Sequence, residues 1–289
     1  MIVTNGHGDY WTRHKLEKLI LYCSAFLEHM SDRPFRPLYI DGCAGTGYVR
    51  RHNPKRTLRY GFFKDPPNIT DGSARLVLGL DNKFDKYVFV ETAKASHRIL
   101  KRVMEDFPHR QPRIRLRRWD ANTFLPKLCG ETDWNTWRAV VFVDPTSTQI
   151  DWETVKAIAE TKGADLWYLF PVGQTVNRLL RQNRNEITDQ SRRSLDRMFG
   201  ATDWYERFYR KRRLPLLKVD EQVKVVNDSQ ITDYFVERLK SVFAHVERPY
   251  RLFNRAGVPL FALCFASPSR KRAELARAVL QERCDILLR

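Results

Sequence analysis

Four groups of polar or small residues directly follow apolar runs in the sequence, and their side chains could hold a ligand or a reacting group. Residues 41–47 read Asp-Gly-Cys-Ala-Gly-Thr-Gly after the run 38–40. The other groups are Glu91, residues 120–122 (Asp-Ala-Asn) and residues 144–145 (Asp-Pro). If the apolar runs are strands of a parallel sheet, their carboxyl ends meet at one edge, where open α/β sheets bind ligands. The sequence therefore predicts one site that contains all four groups.

The glycine-rich segment lets a ligand approach the bare backbone. Gly45 and Gly47 lack a Cβ atom and permit positive φ. The spacing D-x-x-x-G-x-G differs from the dinucleotide fingerprint G-x-G-x-x-G. It is similar to motif I of class I methyltransferases, in the form D-x-F-x-G-x-G, with Cys43 at the aromatic position. A tight turn without a ligand is the alternative. The resemblance implies that S-adenosylmethionine contacts Asp41, Gly42, Cys43, Ala44, Gly45, Thr46 and Gly47.

Two further groups are predicted to bind the nucleoside part of that cofactor. Glu91 could accept hydrogen bonds from both hydroxyls of a ribose. It lies farther from Asp41 than the about twenty residues typical of such folds, and a basic insertion accounts for the excess. Asp120, with Ala121 and Asn122, stands where methyltransferases contact the adenine amino group. An exposed strand-end carboxylate and a plain turn are the respective alternatives.

The fourth group resembles a catalytic motif. Amino methyltransferases carry D/N-P-P-Y/F here, in which the first side chain and the proline carbonyl hold the target amine and the aromatic ring stacks on the base. Asp144 and Pro145 fit this pattern, whereas the following Thr146-Ser147 does not, so another ring such as Trp152 or Tyr168 would have to stack. Cytosine C5 methylation is disfavoured, because it requires a thiolate nucleophile, usually after a proline, and no cysteine follows a proline here.

Apolar runs alternate with amphipathic stretches along the chain, and this alternation predicts the elements that position the four groups. Strands are predicted over 38–41, 87–91, 113–117, 139–144 and 165–170. Helices are predicted over 11–30, 73–80, 95–107, 152–161, 231–243 and 270–283. The segments 250–254 and 260–266 predict a hairpin. The fold class is therefore α/β: a single Rossmann-like methyltransferase domain over 1–289, with a mostly parallel sheet, a C-terminal antiparallel hairpin and a basic helical insertion.

The net charge of +17 predicts a polyanionic partner, most plausibly nucleic acid, although a generally basic, solvated surface is the alternative. The basic residues concentrate in a loop insertion over 48–72 and in an arginine-rich, mainly helical insertion over 176–230. Aromatic residues over 204–209 are expected to anchor the second insertion to the core. The predicted nucleic-acid-binding residues are Arg50, Arg51, Lys55, Arg56, Arg59, Arg178, Arg181, Arg184, Arg210, Lys211, Arg212 and Arg213.

Several kinds of site and location are disfavoured by the sequence. The five cysteines are widely spaced and form no C-x-x-C pair, so neither a disulfide framework nor a metal site is predicted. No apolar run reaches membrane-spanning length, and residues 1–10 lack the pattern of a signal peptide. We expect a soluble, cytoplasmic protein with buried free thiols.

The chain as a whole resembles the three-Cys-motif partner (TcmP) family. The matching segments are Trp11-Thr12, Lys15-Leu16, 41–47, Gly72-Ser73, Val90-Glu91, 120–122, 143–145, 149–154, 165–167, Phe170-Pro171, 176–180, 198–200, Trp204 and 259–263. The resemblance implies a partner, a radical-SAM-like protein bearing three cysteines. It also implies that Trp11 and Lys15, one helical turn apart, close over the cofactor; a core aromatic beside a solvated lysine is the alternative. Family members usually carry an aromatic-Gly pair after Asp-Pro, where this chain has Thr146-Ser147.

The predicted function is S-adenosylmethionine-dependent methylation of an amino nitrogen of a nucleobase in DNA or RNA. One alternative is a protein or small-molecule methyltransferase that acts with the three-Cys-motif partner. Another is a catalytically degenerate module that binds nucleic acid without turnover, and Thr146-Ser147 favours it.

Overall fold

The computed structural model of the protein describes residues 9–50, 69–214 and 219–281. Its strands are β1 (Arg36–Asp41), β2 (Tyr48–Arg50), β3 (Ile69–Asp71), β4 (Lys86–Val90), β5 (Ile114–Arg117), β6 (Trp137–Val143), β7 (Ala164–Phe170), β8 (Tyr209–Leu214), β9 (Val219–Lys224), β10 (His245–Val246), β11 (Tyr250–Phe253) and β12 (Pro259–Ser267). Its α-helices are α1 (Asp9–Met30), α2 (Ser73–Leu78), α3 (Lys94–Glu105), α4 (Ala121–Glu131), α5 (Trp152–Glu160), α6 (Asn177–Leu179), α7 (Asp189–Phe199), α8 (Trp204–Arg207), α9 (Asp228–Lys240) and α10 (Arg270–Gln281).

The central sheet has the strand order β10-β12-β7-β6-β1-β4-β5, and β11 also pairs with β12. The strands β7, β6, β1, β4 and β5 run parallel to one another, whereas β12 runs antiparallel to β7, β10 and β11. The predicted α/β class, with a mostly parallel sheet and a C-terminal antiparallel hairpin, is confirmed. The carboxyl ends of the parallel strands therefore meet at one edge, as the sequence analysis requires.

Helices cover both faces of this sheet, because alternate side chains of each strand point to opposite sides. On β1, Leu38 and Ile40 belong to a core cluster under α4, α5 and α9, while Tyr39 belongs to a second cluster under α1, α2, α3 and α10. All seven residues of β7 are buried, as expected for a strand covered on both faces. No described helix is both long and apolar enough to cross a membrane.

The arginine-rich insertion differs from the prediction in its second half. Its first half is helical: Thr188 caps the start of α7 and Gly200 ends that helix in the left-handed conformation. From residue 209 the chain forms an antiparallel hairpin of β8 and β9, in which Arg212 lies opposite Glu221. Opposite charges across neighbouring strands stabilise such a pair, and this pairing explains why a basic segment forms a strand here.

The basic loop insertion begins and ends in a short two-stranded sheet, in which Tyr48 pairs with Asp71. The predicted nucleic-acid-binding residues Arg51, Lys55, Arg56 and Arg59 lie outside the described residues, and so does Cys284. Arg50 ends β2.

Candidate functional site

The turn after β1 is held at the carboxyl edge of the sheet by its two neighbouring strands. The amide of Gly42 donates to the carbonyl of Phe142 on β6 at 2.8 Å, and the amide of Ala44 donates to the carbonyl of Val90 on β4 at 2.9 Å. Gly45 has a φ of 60°, and a Cβ atom built on it would meet no atom of the described residues within 4 Å. The backbone at Gly45 therefore faces open space, as a ligand that lies against this turn requires.

Gly47 and Gly72 lie where the turn packs closely against its neighbours. Gly47 has a φ of 76°, and a Cβ atom on it would lie 3.1 Å from the side chain of Leu100. A Cβ atom on Gly72 would lie 2.9 Å from the Gly47 carbonyl carbon, and the Gly72 amide donates to the Gly47 carbonyl at 2.9 Å. This close approach fixes the start of α2 against the end of the turn.

Asp41 lies beneath the turn and is fully buried (0% exposed). One carboxylate oxygen accepts a hydrogen bond from the Cys43 amide at 3.2 Å, and the other accepts from the Ser73 hydroxyl at 2.6 Å. Burial raises the pKa of Asp41 to about 7, because its effect exceeds that of the two hydrogen bonds, which lower the pKa. Asp41 thus shapes the turn from beneath through internal hydrogen bonds, and its contact with the cofactor stays a prediction.

Cys43 faces the predicted catalytic residue across the site. Burial raises the pKa of its thiol, and the nearby carboxylates of Asp41 and Asp144 raise it further. A raised thiol pKa disfavours the thiolate, which is the form that a nucleophilic cysteine needs. Cytosine C5 methylation, which the sequence disfavours, therefore gains no support from Cys43.

The first helix brings Lys15 to the end of β6, where its ammonium forms an ion pair with the carboxylate of Asp144. The Lys15 side chain is buried, whereas that of Asp144 is 27% exposed. The ammonium also lies 4.9 Å from the centre of the Trp11 ring, which in turn packs 4.5 Å from the ring of Phe261. Trp11 and Lys15 therefore lie beside the predicted catalytic carboxylate. Lys15 contacts the Asp144 carboxylate directly, and the sequence did not indicate that these two residues pair.

Glu91 follows β4 at the same edge. One of its carboxylate oxygens accepts a hydrogen bond from the Ala93 amide at 2.7 Å. The other oxygen accepts no hydrogen bond from the described part of the chain and is available to a ligand hydroxyl. Because the Ala44 amide donates to Val90, the residue before Glu91, the turn and Glu91 belong to the same edge of the sheet.

The side chains of the third predicted group, residues 120–122, contact other parts of the chain. Asp120 caps the start of α4 by accepting from the amides of Asn122 and Thr123 at 2.9 and 3.3 Å. The Asn122 amide group donates to the Gln149 carbonyl at 2.7 Å, and its oxygen accepts from the Asp151 amide and the Thr154 hydroxyl, both at 2.9 Å. Ala121 is buried. These hydrogen bonds hold the segments after β5 and β6 together. The side-chain nitrogen and oxygen of Asn122 both have partners within the chain.

Neither ring expected to replace the missing aromatic of the Asp-Pro motif can stack on a ligand. Trp152 is 3% exposed and lies under Gly200, whose added Cβ atom would come within 2.0 Å of the indole. Tyr168 is also buried. The exposed ring at this edge is Trp119, 43% exposed, in the loop after β5. The sequence signal for it was its position directly before Asp120.

The predicted nucleic-acid-binding residues of the arginine-rich insertion fall into two kinds. Arg184 forms an ion pair with Glu206 and lies 3.7 Å from the centre of the Tyr205 ring, so its charge is already compensated. Arg210 donates to the carbonyls of Glu206 and Tyr209 at 3.1 and 3.0 Å. Arg178, Arg181 and Lys211 are exposed and form no ion pair within the described ranges. Arg212 and Arg213 are also exposed and lie opposite Glu221 and Asp220 of β9.

Comparisons with known proteins locate the fold. No protein-family model and no curated protein sequence matches the chain. Protein LPL1258 from Legionella pneumophila str. Philadelphia 1, described as family-model DUF519, matches with a TM-score of 0.54 and 13% identity over 94% of this chain and 92% of that chain. The chain has the Rossmann-like fold of class I methyltransferases. An identity this low shows the fold alone, and the activity must be argued from the site.

Two further solved structures match more weakly. Spermidine synthase from Thermotoga maritima has a TM-score of 0.45 and 13% identity over 92% of this chain and 63% of that chain. The N-terminal domain of EvdMO1, solved with SAH bound, has a TM-score of 0.39 and 13% identity over 87% of this chain and 81% of that chain.

Within the described residues no group of three or more His, Cys, Asp or Glu side chains could hold a metal ion.

Proposed function

We propose that the protein is an S-adenosylmethionine-dependent methyltransferase that methylates an amino nitrogen of a nucleobase in DNA or RNA. The observation that carries this proposal is the open Gly45 backbone at the sheet edge that also carries the free oxygen of Glu91 and the partly exposed carboxylate of Asp144. In this fold, ligands bind at the carboxyl edge of the sheet, where all three groups lie.

The residues at this edge fit the cofactor. The Gly45 backbone leaves room for it, and Glu91 offers an unpaired carboxylate oxygen to the ribose hydroxyls. The bound cofactor supplies an electrophilic methyl group on a sulfonium sulfur. The chain's own contribution is to hold the acceptor nitrogen in line with that methyl group, because alignment lowers the entropic part of the barrier.

Asp144 is the group that would hold the acceptor amine. Its carboxylate can accept a hydrogen bond from an amino N–H and thereby orient the nitrogen lone pair. The buried ammonium of Lys15 fixes the direction of the carboxylate and shares one of its oxygens. Lys15 is thus a positioning residue in this proposal, and we assign it to Asp144 rather than to the cofactor.

A nucleic-acid substrate is supported by charge. The net charge of +17 and the exposed Lys211, Arg212 and Arg213 of β8 favour binding to phosphates. The resemblance of the whole chain supports membership of the three-Cys-motif partner family, with a radical-SAM-like partner, and we propose a cytoplasmic location for the protein. In the competing form of this proposal, the methyl group is transferred to a protein, such as that partner, or to a small molecule.

A second candidate function is a degenerate module that binds nucleic acid without methyl transfer. It is favoured by one observation: the amide and hydroxyl of Thr146 both donate to the Gln149 side chain, at 3.0 and 3.1 Å, where active amino methyltransferases present a stacking ring.

Transfer of a radiolabelled methyl group to separate DNA, RNA and protein fractions tests these functions together. The proposal predicts label in a nucleic-acid fraction with the native chain and its loss in Asp144→Ala. Label in the protein fraction would support the competing substrate. Cofactor binding without any transfer would support the degenerate module.

A further inference from the structure

The edge strand β5 carries two arginines on one face of the sheet. Its register places Arg115 beside Val88 and Arg117 beside Val90 on β4. Side chains at paired positions share a face, and Lys86 shares it as well, because it lies two residues before Val88. Arg115 and Arg117 are exposed, and Lys86 is half-buried. Three cations therefore lie together at the open edge of the sheet.

Their charge is not compensated. Within the described parts of the chain, Lys86, Arg115 and Arg117 form no ion pair with a carboxylate, and Arg117 donates only to the carbonyl of Leu116, at 3.2 Å. Burial lowers the pKa of Lys86, and the neighbouring guanidinium groups of Arg115 and Arg117 lower it further. Such mutual repulsion would be relieved by a bound anion.

An exposed tryptophan stands where this row of cations reaches the candidate site. Trp119 lies two residues beyond the end of β5, and its ring centre is 5.7 Å from that of Phe124, with the two rings tilted by 42°. The Lys127 ammonium, which also pairs with Glu131 at 3.8 Å, lies 5.5 Å from the centre of the Trp119 ring. Its carbonyl accepts a hydrogen bond from the hydroxyl of Thr92, the neighbour of Glu91, at 3.0 Å. The surface therefore leads from the sheet edge to the proposed cofactor site.

We infer that Lys86, Arg115, Arg117, Trp119 and Lys127, here called the β5-edge surface, bind single-stranded DNA or RNA. Cationic grooves with aromatic platforms recognise unpaired strands, since phosphates meet the cations and bases stack on the ring. Charged residues on an edge strand can also serve only to prevent aggregation, but that purpose does not require an exposed tryptophan. The inference deepens the proposed function, on which it rests for the class of polymer, and none of these residues was predicted from sequence.

The charge is tested by fluorescence anisotropy without cofactor, using labelled oligothymidylate and oligouridylate of about 12 nucleotides. Arg115→Gln/Arg117→Gln should weaken binding at low salt. It should also reduce the slope of log affinity against log salt by about 1.4, at about 0.7 per phosphate contact of a single strand. Lys240→Gln/Lys271→Gln removes the same charge from exposed positions on α9 and α10 and should leave the slope unchanged. The two oligonucleotides distinguish DNA from RNA.

The ring is tested by Trp119→Ala, which should lower oligonucleotide affinity roughly 5-fold or more, while Trp119→Phe should retain most of it. An unchanged slope in the double arginine variant, or no binding of either oligonucleotide by the native chain, overturns the inference. If Trp119→Ala instead abolishes S-adenosylmethionine binding and leaves oligonucleotide affinity intact, the ring belongs to the cofactor site and the stacking assignment is wrong. Because no methyl transfer is measured, failure here is distinguishable from failure of the proposed activity.

Discussion

The ammonium of Lys15 on the first helix forms an ion pair with the carboxylate of Asp144 at the end of the fourth parallel strand of the chain, β6. The lysine is buried and the aspartate is partly exposed, so one oxygen faces the protein and the other can face a substrate. This pair holds a hydrogen-bond acceptor at the same edge of the sheet as the Gly45 turn. In the proposed function, the pair orients the acceptor amine.

Asp144→Asn is expected to lower kcat by about 10²-fold without changing cofactor affinity, because an amide is a weaker acceptor for the target amine. Lys15→Met should also lower kcat, by leaving Asp144 misdirected. In the double variant the two losses should not add, since both act on one interaction. Single-turnover methyl transfer measures kcat. Fully additive losses would show that Lys15 does not act through Asp144.

Glu91→Gln should weaken S-adenosylmethionine binding by about 10-fold or more, because a hydrogen bond to a charged acceptor is replaced by a weaker one. At saturating cofactor the rate should be preserved. Isothermal titration calorimetry gives the affinity. Glu105→Gln, an exposed change at the end of α3, serves as the control and should bind normally. Equal affinity in both variants would remove Glu91 from the site.

The buried carboxyl of Asp41 predicts a pH dependence of stability. Its pKa of about 7 in the folded chain exceeds the about 4 of an unfolded aspartate, so its stabilising contribution is complete below about pH 4 and is lost as the pH rises through 7. As the pH rises over that range, the native chain should lose unfolding free energy relative to Asp41→Asn, by on the order of 4 kcal/mol at most. Urea unfolding between about pH 4 and 8 measures it. A constant difference would contradict the assignment.

The pair Asp165–Arg272 is expected to govern stability far from the site. Both side chains are buried; the guanidinium lies 2.8 Å from the carboxylate, which also accepts from the hydroxyls of Tyr22 and Ser267. Asp165→Ala should destabilise the fold by about 3–5 kcal/mol, because it leaves a buried charge unpaired. The exposed pair of Arg270 is the control.

Arg270→Ala, which removes the exposed ion pair with Glu274, should cost at most about 1 kcal/mol. Both variants are compared by urea unfolding. If Asp165→Ala cost no more than Arg270→Ala, the buried pair would not be the determinant of stability proposed here.

The sequence predicted the strands because burial on both faces leaves a readable apolar run, and it predicted the common edge because parallel strands place their ends together. It could not predict the partner of Lys15, which depends on how α1 packs across the sheet toward a residue far along the chain. It could not show that Asn122 is engaged by Gln149, Asp151 and Thr154, since local sequence does not reveal which loops meet. The β8–β9 hairpin was missed because its stabilising charge pairs lie across strands and not along a helix.

The most direct test of the account is calorimetric titration of S-adenosylmethionine into the native chain and into Gly45→Arg. The arginine would fill the space over the turn and should abolish binding. Gly257→Arg is the matched control: Gly257 has a φ of 75° and equally open surroundings in the β11–β12 turn, so it imposes similar backbone strain and should bind normally. Equal cofactor affinity in Gly45→Arg and the native chain would contradict the cofactor site at this turn, and the proposed methyl transfer with it.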